Sequence, residues 1–170
     1  MEWHFPGQTC AFTGHRPEKL PWGTRETDPR CIDLKKRIRD ACEAVYTMGV
    51  RHFICGMAQG CDTYFCEELI ALRKEGREFT IEAAIPCEEQ SSRWTSQDRV
   101  RYYRLLEECD EKTVISPHYT PDCMARRNHY MVDNAAFLIA CTGGAQGGAE
   151  ATVRYARQQG LDIIRIDTQL

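Results

Sequence analysis

Six short runs of β-branched and apolar residues alternate along this chain with five longer stretches of helical period, joined by short connections. The runs at 9–13, 51–55, 79–85, 112–115, 137–141 and 162–166 read as strands. A first helix carries Leu34, Ile38, Ala41, Cys42, Val45 and Met48 on one stripe and stops at Gly49; a second runs from Asp62 through Phe65, Leu69 and Leu72 to Gly76. A third covers about 98–109, a fourth starts with Asp122 as N-cap and ends near Asn134, and a fifth runs from Gly148 to Gly160. Strands joined through helices run parallel, and right-handed crossovers place those helices on both faces of the sheet. The expected class is α/β, a three-layer α/β/α sandwich around a mostly parallel sheet.

With 170 residues and 42% hydrophobic content, the chain is long enough for one well-buried core, and a single domain over 1–170 is expected. There is no internal repeat, low-complexity tract or linker, and the stretch 18–30, rich in proline and charge, reads as the one long loop. A net charge of −3 gives no global basic field, so nucleic acid is not an expected partner and any anion must be bound locally. The longest apolar run, 135–141, is too short to cross a membrane, and the N-terminus has no basic segment followed by an apolar one; no membrane association and a cytoplasmic location are expected. The ten cysteines contain no C-x-x-C pair and fall on helices and strand ends, as small core-filling thiols do. Cys55, Cys87 and Cys141 share one sheet edge but have no metal-ligand spacing, nor do His4, His52, His118 and His129, so no metal is expected. A homo-oligomer is compatible with the sequence.

In a doubly wound sheet, ligands bind outside the carboxyl ends of the strands. Three loops there are glycine-bearing: "TGHRP" after the first strand, "CGMAQGCD" after the second and "TGGAQGGAE" after the fifth. The latter two open directly into helices, whose exposed N–H groups and positive dipole ends attract anions, while glycine lets a phosphate approach the backbone. The crevice so formed requires the fifth strand to end near Thr13.

These residues resemble a known family. "TGHRP", "GMAQGCD", "W…DRVRYYRLL" over 94–106 and "RNHYMVDNAAFLIA…GG…T…YA" are similar, as a set covering nearly the whole chain, to the YpsA-like branch of the SLOG superfamily, which also contains the LOG phosphoribohydrolases and the DprA single-strand-binding proteins. The resemblance implies a Rossmann-like fold that binds a nucleotide or nucleotide-derived ligand, with no settled activity for this branch and no required cofactor. Met124, Arg127, Asn128 and Met131 occupy positions of the LOG helix motif, with asparagine in place of lysine. The glycine loop departs from the LOG pattern: Gln146 looks like an insertion, Gly148 takes the threonine position and Glu150 lies one residue off the catalytic glutamate, a rotation of about 100° on a helix.

The candidate ligand-binding residues are Thr13, Gly14, His15, Arg16, Gly56, Gln59, Gly60, Trp94, Arg127, Asn128, Gly143, Gly144, Gly147 and Gly148, and the candidate catalytic carboxylates are Glu150 and Asp62. Arg127 suits bidentate phosphate binding, with pairing to Asp133 or Glu150 as its plain alternative. Asp62 is either a first-turn carboxylate or a ribose acceptor, Glu150 complements its helix dipole or serves a transition state, and Trp94 either stacks on a base or fills the core. Arg16 is held extended by Pro17, which projects its side chain from the strand end. Arg93, Arg99, Arg101 and Arg104 form a denser basic cluster that would suit a DNA backbone. The leading expectation is a sensor or regulatory module for a nucleotide-type ligand; the alternatives are a nucleoside-monophosphate N-glycosidase and a DprA-like single-strand DNA binder.

Overall fold

The computed structural model describes residues 3–144 and 146–169. It contains β1 (Thr9–Gly14), β2 (His52–Cys55), β3 (Thr80–Cys87), β4 (Glu111–Ser116), β5 (Phe137–Cys141) and β6 (Asp162–Ile166), interleaved with α1 (Pro29–Thr47), α2 (Cys61–Lys74), α3 (Ser96–Glu108), α4 (Cys123–Asp133) and α5 (Gly148–Gln158). Every pair of neighbouring strands is parallel, in the order β4-β3-β2-β1-β5-β6. The fold is Rossmann-like, with the sheet parallel throughout. The chain works outward from β1 to β4, then returns to the other side of β1, where Gly14 pairs in register with Cys141. That reversal leaves a crevice between the carboxyl ends of β1 and β5.

Alternation along the strands divides the core in two. Cys10, Phe12, Phe53, Cys55, Ile81, Ala83, Ile85 and Ile139 face α1, α2 and α3, against Leu34, Ile38, Phe65, Leu69 and Leu105. Ala11, Ile54, Ala84, Leu138 and Ala140 face α4 and α5, against Met131, Val132, Val153 and Ala156. Strands buried on both faces lose the period-two pattern, which is why they read in the sequence as continuous apolar runs. Small residues on the second face let α4 and α5 pack close. All ten cysteines are free, nine of them buried, consistent with thiols used as small hydrophobes.

The stretch 18–30 is less of a loop than its composition suggests. It opens with a 3-10 turn, Pro17–Lys19, and then buries Leu20 and Trp22 in the larger core. Asp28 caps α1 by accepting from the Arg30 N–H at 2.8 Å, with Pro29 at the first helical position. Glu26 is gripped by Arg101 from α3 through contacts of 2.7 and 2.9 Å and by Lys35 at 2.8 Å, while Arg101 also engages Glu67.

That network makes a testable contribution to acid stability. The Arg101 hydrogen bond, outweighing the effect of burial and aided by Lys35, lowers Glu26 from 4.5 to about 2. A depressed carboxylate adds stability that is complete above the unfolded value of 4.5 and is lost as pH falls through the folded value near 2. Arg101→Met is therefore expected to lower the melting temperature at neutral pH, with the gap to wild type narrowing progressively as pH falls through that window. An equal gap at every pH would contradict the assignment.

Candidate functional site

The crevice is a cavity of about 330 Å³ whose lining comes from four separated stretches of chain. The end of β1 supplies Thr13, Gly14, His15 and Arg16; the loop after β2 and the start of α2 supply Gly56, Ala58 and Asp62. One face of α4 supplies Met124, Arg127, Asn128 and Met131, and the N-terminus of α5 supplies Gly148 and Ala149. Lys19 and Glu18 stand at the same cavity. No motif marks either of them, because they lie in what reads as a plain loop.

Arg127 is the central side chain. It is only 4% exposed, and its Nη1 donates to the Gly56 carbonyl and, at 3.4 Å, to the Ala84 carbonyl, tying the end of β2 and the middle of β3 to α4. Its Nε donates to Asn128 Oδ1 at 2.9 Å. Nη2 has one weak contact among the described residues, to Met124 Sδ at 3.7 Å, and so keeps its donor capacity for the crevice. Neither Asp133 nor Glu150 is its partner: Asp133 accepts from Tyr155, and Glu150 from Arg165.

Asp62 sits across Gly56 from this guanidinium. A Cβ placed on Gly56 would lie 2.6 Å from Arg127 Nη1 and 3.0 Å from Asp62 Oδ2, so the glycine permits the close approach of both groups. Asp62 is 7% exposed and accepts the Ala58 N–H at 3.0 Å. Burial raises its pKa, opposed by Arg127, the Ala58 N–H and Arg16. Burial likewise lowers that of Arg127, with Asp62 acting against it. A desolvated carboxylate and guanidinium facing one cleft are the pattern expected of a functional site.

The remaining predicted residues divide. His15 is buried, and its Nε2 accepts the Gly143 N–H at 3.1 Å and meets Thr142 Oγ1 at the same distance, so it bolts the β5 loop to the β1 loop. Burial first, then Lys19, lowers the pKa of His15, with Glu150 opposing. Arg16 is exposed and reaches Met124 Sδ at 3.2 Å. The N-terminus of α5 has Gly147 as N-cap and no side-chain cap, leaving its first N–H groups toward the crevice. Lys19 bridges the same loop by donating to the Gln146 carbonyl at 2.7 Å.

Five of the loop glycines have intramolecular reasons. Gly14 packs against Cys61, Gly56 against Arg127, Gly60 against the backbone of His15 and Arg16, Gly143 against Gln169 and Thr168, and Gly147 against the Lys19 ammonium. Gly144 and Gly148 meet nothing within 4 Å among the described residues. The loop also includes residue 145, which lies outside the described residues.

Gln59, Gly60 and Trp94 line a neighbouring cavity of about 760 Å³ between α2 and α3. Gln59 donates to Asp98 there, and the Trp94 ring packs edge-on against Tyr102 with centroids 5.1 Å apart, so Trp94 is half-buried and away from the β1–β5 crevice. Glu150 is not in the crevice lining either. Burial acts to raise its pKa, but hydrogen bonds from Arg165 and Thr142 hold it below the ordinary value, as for a paired carboxylate. Of the basic cluster on α3, Arg101 is committed to Glu26 and Glu67.

A parallel sheet reversing beside β1, with cationic and anionic side chains at the reversal, defines a Rossmann-like, nucleotide-related binding fold. Within that class the chain belongs to the YpsA family, the YspA SLOG family, whose profile matches residues 10–169. It is 26% identical over 144 residues to the uncharacterized SPbeta prophage-derived protein YoqJ of Bacillus subtilis strain 168, an alignment covering 77% of this chain and 84% of that one. It is similar in fold to DNA processing protein A (DprA) from Streptococcus pneumoniae, with a TM-score of 0.57 and 17% identity over 95% of this chain and 50% of that one. DNA processing protein A from Helicobacter pylori, described for its single-stranded DNA binding mode, gives a TM-score of 0.63 at 12% identity over 97% of this chain and 70% of that one. Among the described residues no helix is long and apolar enough to cross a membrane.

Proposed function

We propose that the β1–β5 crevice binds a nucleotide or nucleotide-derived ligand by its phosphate, and that the protein acts as a sensor or regulatory module, as one domain in a reducing, cytoplasmic setting. The observation that carries this reading is the convergence of the buried Arg127, whose Nη2 has one weak contact among the described residues, and the uncapped α5 N-terminus on one space of about 330 Å³. That volume lies at the small end of the range for ligand pockets, roughly 300–1,000 Å³. Arg16 and Lys19 add positive charge at the mouth, Gly148 leaves room for close approach, and Asp62 is placed to accept from ribose hydroxyls. A panel of AMP, ADP-ribose and NAD tests it by thermal shift. A ligand at a hundred times its Kd adds about 2.7 kcal/mol, or roughly 5–10 °C for a chain of this size. No shift from any phosphate ester would remove the reading.

A second reading, nucleotide N-glycosidase activity, is favoured by one observation. Of the two candidate carboxylates, Asp62 lines the crevice and Glu150 does not, so a negative charge is available where an oxocarbenium-like centre would develop. Chromatography of AMP and CMP incubations is expected to show no efficient base release. Release abolished by Asp62→Asn and unaffected by Glu150→Gln would place this reading first.

The DprA likeness raises single-stranded DNA as a ligand, and Arg93, Arg99 and Arg104, which have no ion-pair partner among the described residues, are the side chains to test. With Arg101 occupied and a net charge of −3, little binding to an oligonucleotide is expected at physiological salt. Tight binding lost on Arg104→Ala would reverse that ranking.

A further inference from the structure

The ten free thiols are not alike. Nine are buried, and Cys109, at the bend where α3 gives way to β4, alone is partly open to solvent. It packs against the same core cluster as Cys66 of α2 and Cys55 at the end of β2, both 0% exposed. The Cys66 thiol hydrogen-bonds with those of Cys109 and Cys55, so three thiols run in a row from the surface to the end of β2. The bend that carries Cys109 is clamped on both sides. Arg73 of α2 donates to the Glu108 carbonyl and, at 2.6 Å, to the Asp110 carboxylate, while the Asp110 N–H donates to the Ile81 carbonyl at 2.8 Å.

We propose that Cys109 and Cys66 form a peroxide-reactive thiol pair, in which Cys109 is the attacking nucleophile and Cys66 closes a disulfide between α2 and the end of α3. Exposure is the first reason. A small oxidant reaches Cys109 from solvent, and Cys66 stands beside it to receive the product. Surroundings are the second. A reactive cysteine needs a partly open, electropositive setting that favours its thiolate, and the Arg73 guanidinium is fixed on the residues either side of Cys109. The Cys66 S–H donated to its sulfur, with help from Arg73, holds the Cys109 thiol below its ordinary range against burial, Asp110 and Glu108. An open, thiolate-favouring cysteine next to a resolving one is the arrangement of redox-responsive thiols. Cys61 and Cys141 also hydrogen-bond to each other, but both are wholly buried and burial pushes the Cys141 thiol up, so that pair is inert.

Hydrogen peroxide is the only co-reactant the chemistry needs. The Cys109 thiolate attacks one peroxide oxygen, the O–O bond breaks, and the departing hydroxide takes up the proton that Cys109 gave away. Cys109 then carries a sulfenic acid. The Cys66 sulfur attacks that sulfur, the S–O bond breaks, and hydroxide leaves with the Cys66 proton as a second water. Two thiols are oxidised to one disulfide, and one peroxide is reduced to two waters. Asp62 lies one turn ahead of Cys66 on α2, so the bond fastens the helix that supplies the crevice carboxylate to the α3–β4 bend. The pair works independently of what the crevice holds.

Reduced full-length protein exposed to stoichiometric hydrogen peroxide tests the proposal by mass spectrometry. The chain is expected to lose two hydrogens, with peptide mapping joining Cys66 to Cys109 and dithiothreitol reversing the change. In Cys66→Ala the same treatment should leave Cys109 as a sulfenic acid that dimedone captures. Cys109→Ser should consume peroxide at least about tenfold more slowly than wild type, because the remaining thiols are buried. That substitution is nearly isosteric and half-exposed, so it keeps the fold even if Cys66→Ala does not. A disulfide between other cysteines, oxidation of Cys109 in wild type without any crosslink, or an unchanged rate in Cys109→Ser would each overturn the assignment.

Discussion

Arg127→Ala is expected to abolish the thermal shift from phosphate-bearing ligands and, without any ligand, to destabilise the protein by about 3 kcal/mol or more, roughly 6–12 °C. Two losses add. The guanidinium's bonds to the Gly56 and Ala84 carbonyls disappear, and Asp62 is left buried without the positive charge that faces it. Asp62→Asn should act in the opposite sense on the ligand-free protein. A buried acid with a raised pKa binds more protons folded than unfolded, so its effect on stability becomes unfavourable as pH rises from the ordinary value of 3.8 through the folded one. The neutral amide keeps an acceptor for the Ala58 N–H and removes that dependence, so the Asn variant should melt higher than wild type at neutral pH. The double variant should recover part of what Arg127→Ala loses. A strictly additive pair of melting-temperature changes would show that the two groups do not interact.

Gly60→Ala is expected to cost at least about 3 kcal/mol through strained backbone and steric overlap, while Gly148→Ala should leave unliganded stability within roughly 0.5 kcal/mol. Gly60 has φ +85° and caps α2, and an added Cβ would stand 2.7 Å from the His15 carbonyl oxygen. That carbonyl cannot retreat easily, because it accepts the Cys61 N–H at 3.1 Å. Gly148 has open space above it, so its methyl group meets only what enters the crevice. If a phosphate approaches the α5 N-terminus, Gly148→Ala lowers ligand affinity with the fold intact. Denaturant melts of both variants, paired with the nucleotide thermal shift, separate the glycine that the chain needs from the one a ligand needs. Unchanged affinity in Gly148→Ala would move the phosphate away from this helix.

The architecture was legible because it is written in local periodicity. Each of the six strands and five helices falls where the apolar runs and helical stripes place it, with ends shifted by a few residues, as at β3, which runs on to Cys87. Adjacency of β1 and β5 was needed by the crevice but carries no local signal, since register between strands more than a hundred residues apart depends on packing of the whole sheet. The same limit hid other features. Leu20 and Trp22 are two apolar residues among charges, without a period, so nothing announced that they dock in the core. Arg101 sits on α3 in an apparent basic cluster, and its partners Glu26 and Glu67 lie far off in sequence. Glycine counts signalled close approach correctly, but at Gly14, Gly56, Gly60 and Gly143 the approaching group is another part of the chain. His4 meets Glu111, and His52 meets Glu82, across segments with no shared spacing, and only the amino-terminal edge of the sheet brings them together.

The return of the chain to the far side of β1 also has a kinetic consequence. His15 meets Thr142 across 127 residues of sequence, so the crevice exists only after β5 has docked against β1. Contacts that span so much chain carry a high closure cost and tend to form late, after local elements have assembled. A ligand held between the two ends then stabilises the native state but not the folding transition state, and interactions of that kind act on the escape rate. Occupancy of the crevice lengthens the lifetime of the folded chain while leaving the rate at which it forms unchanged.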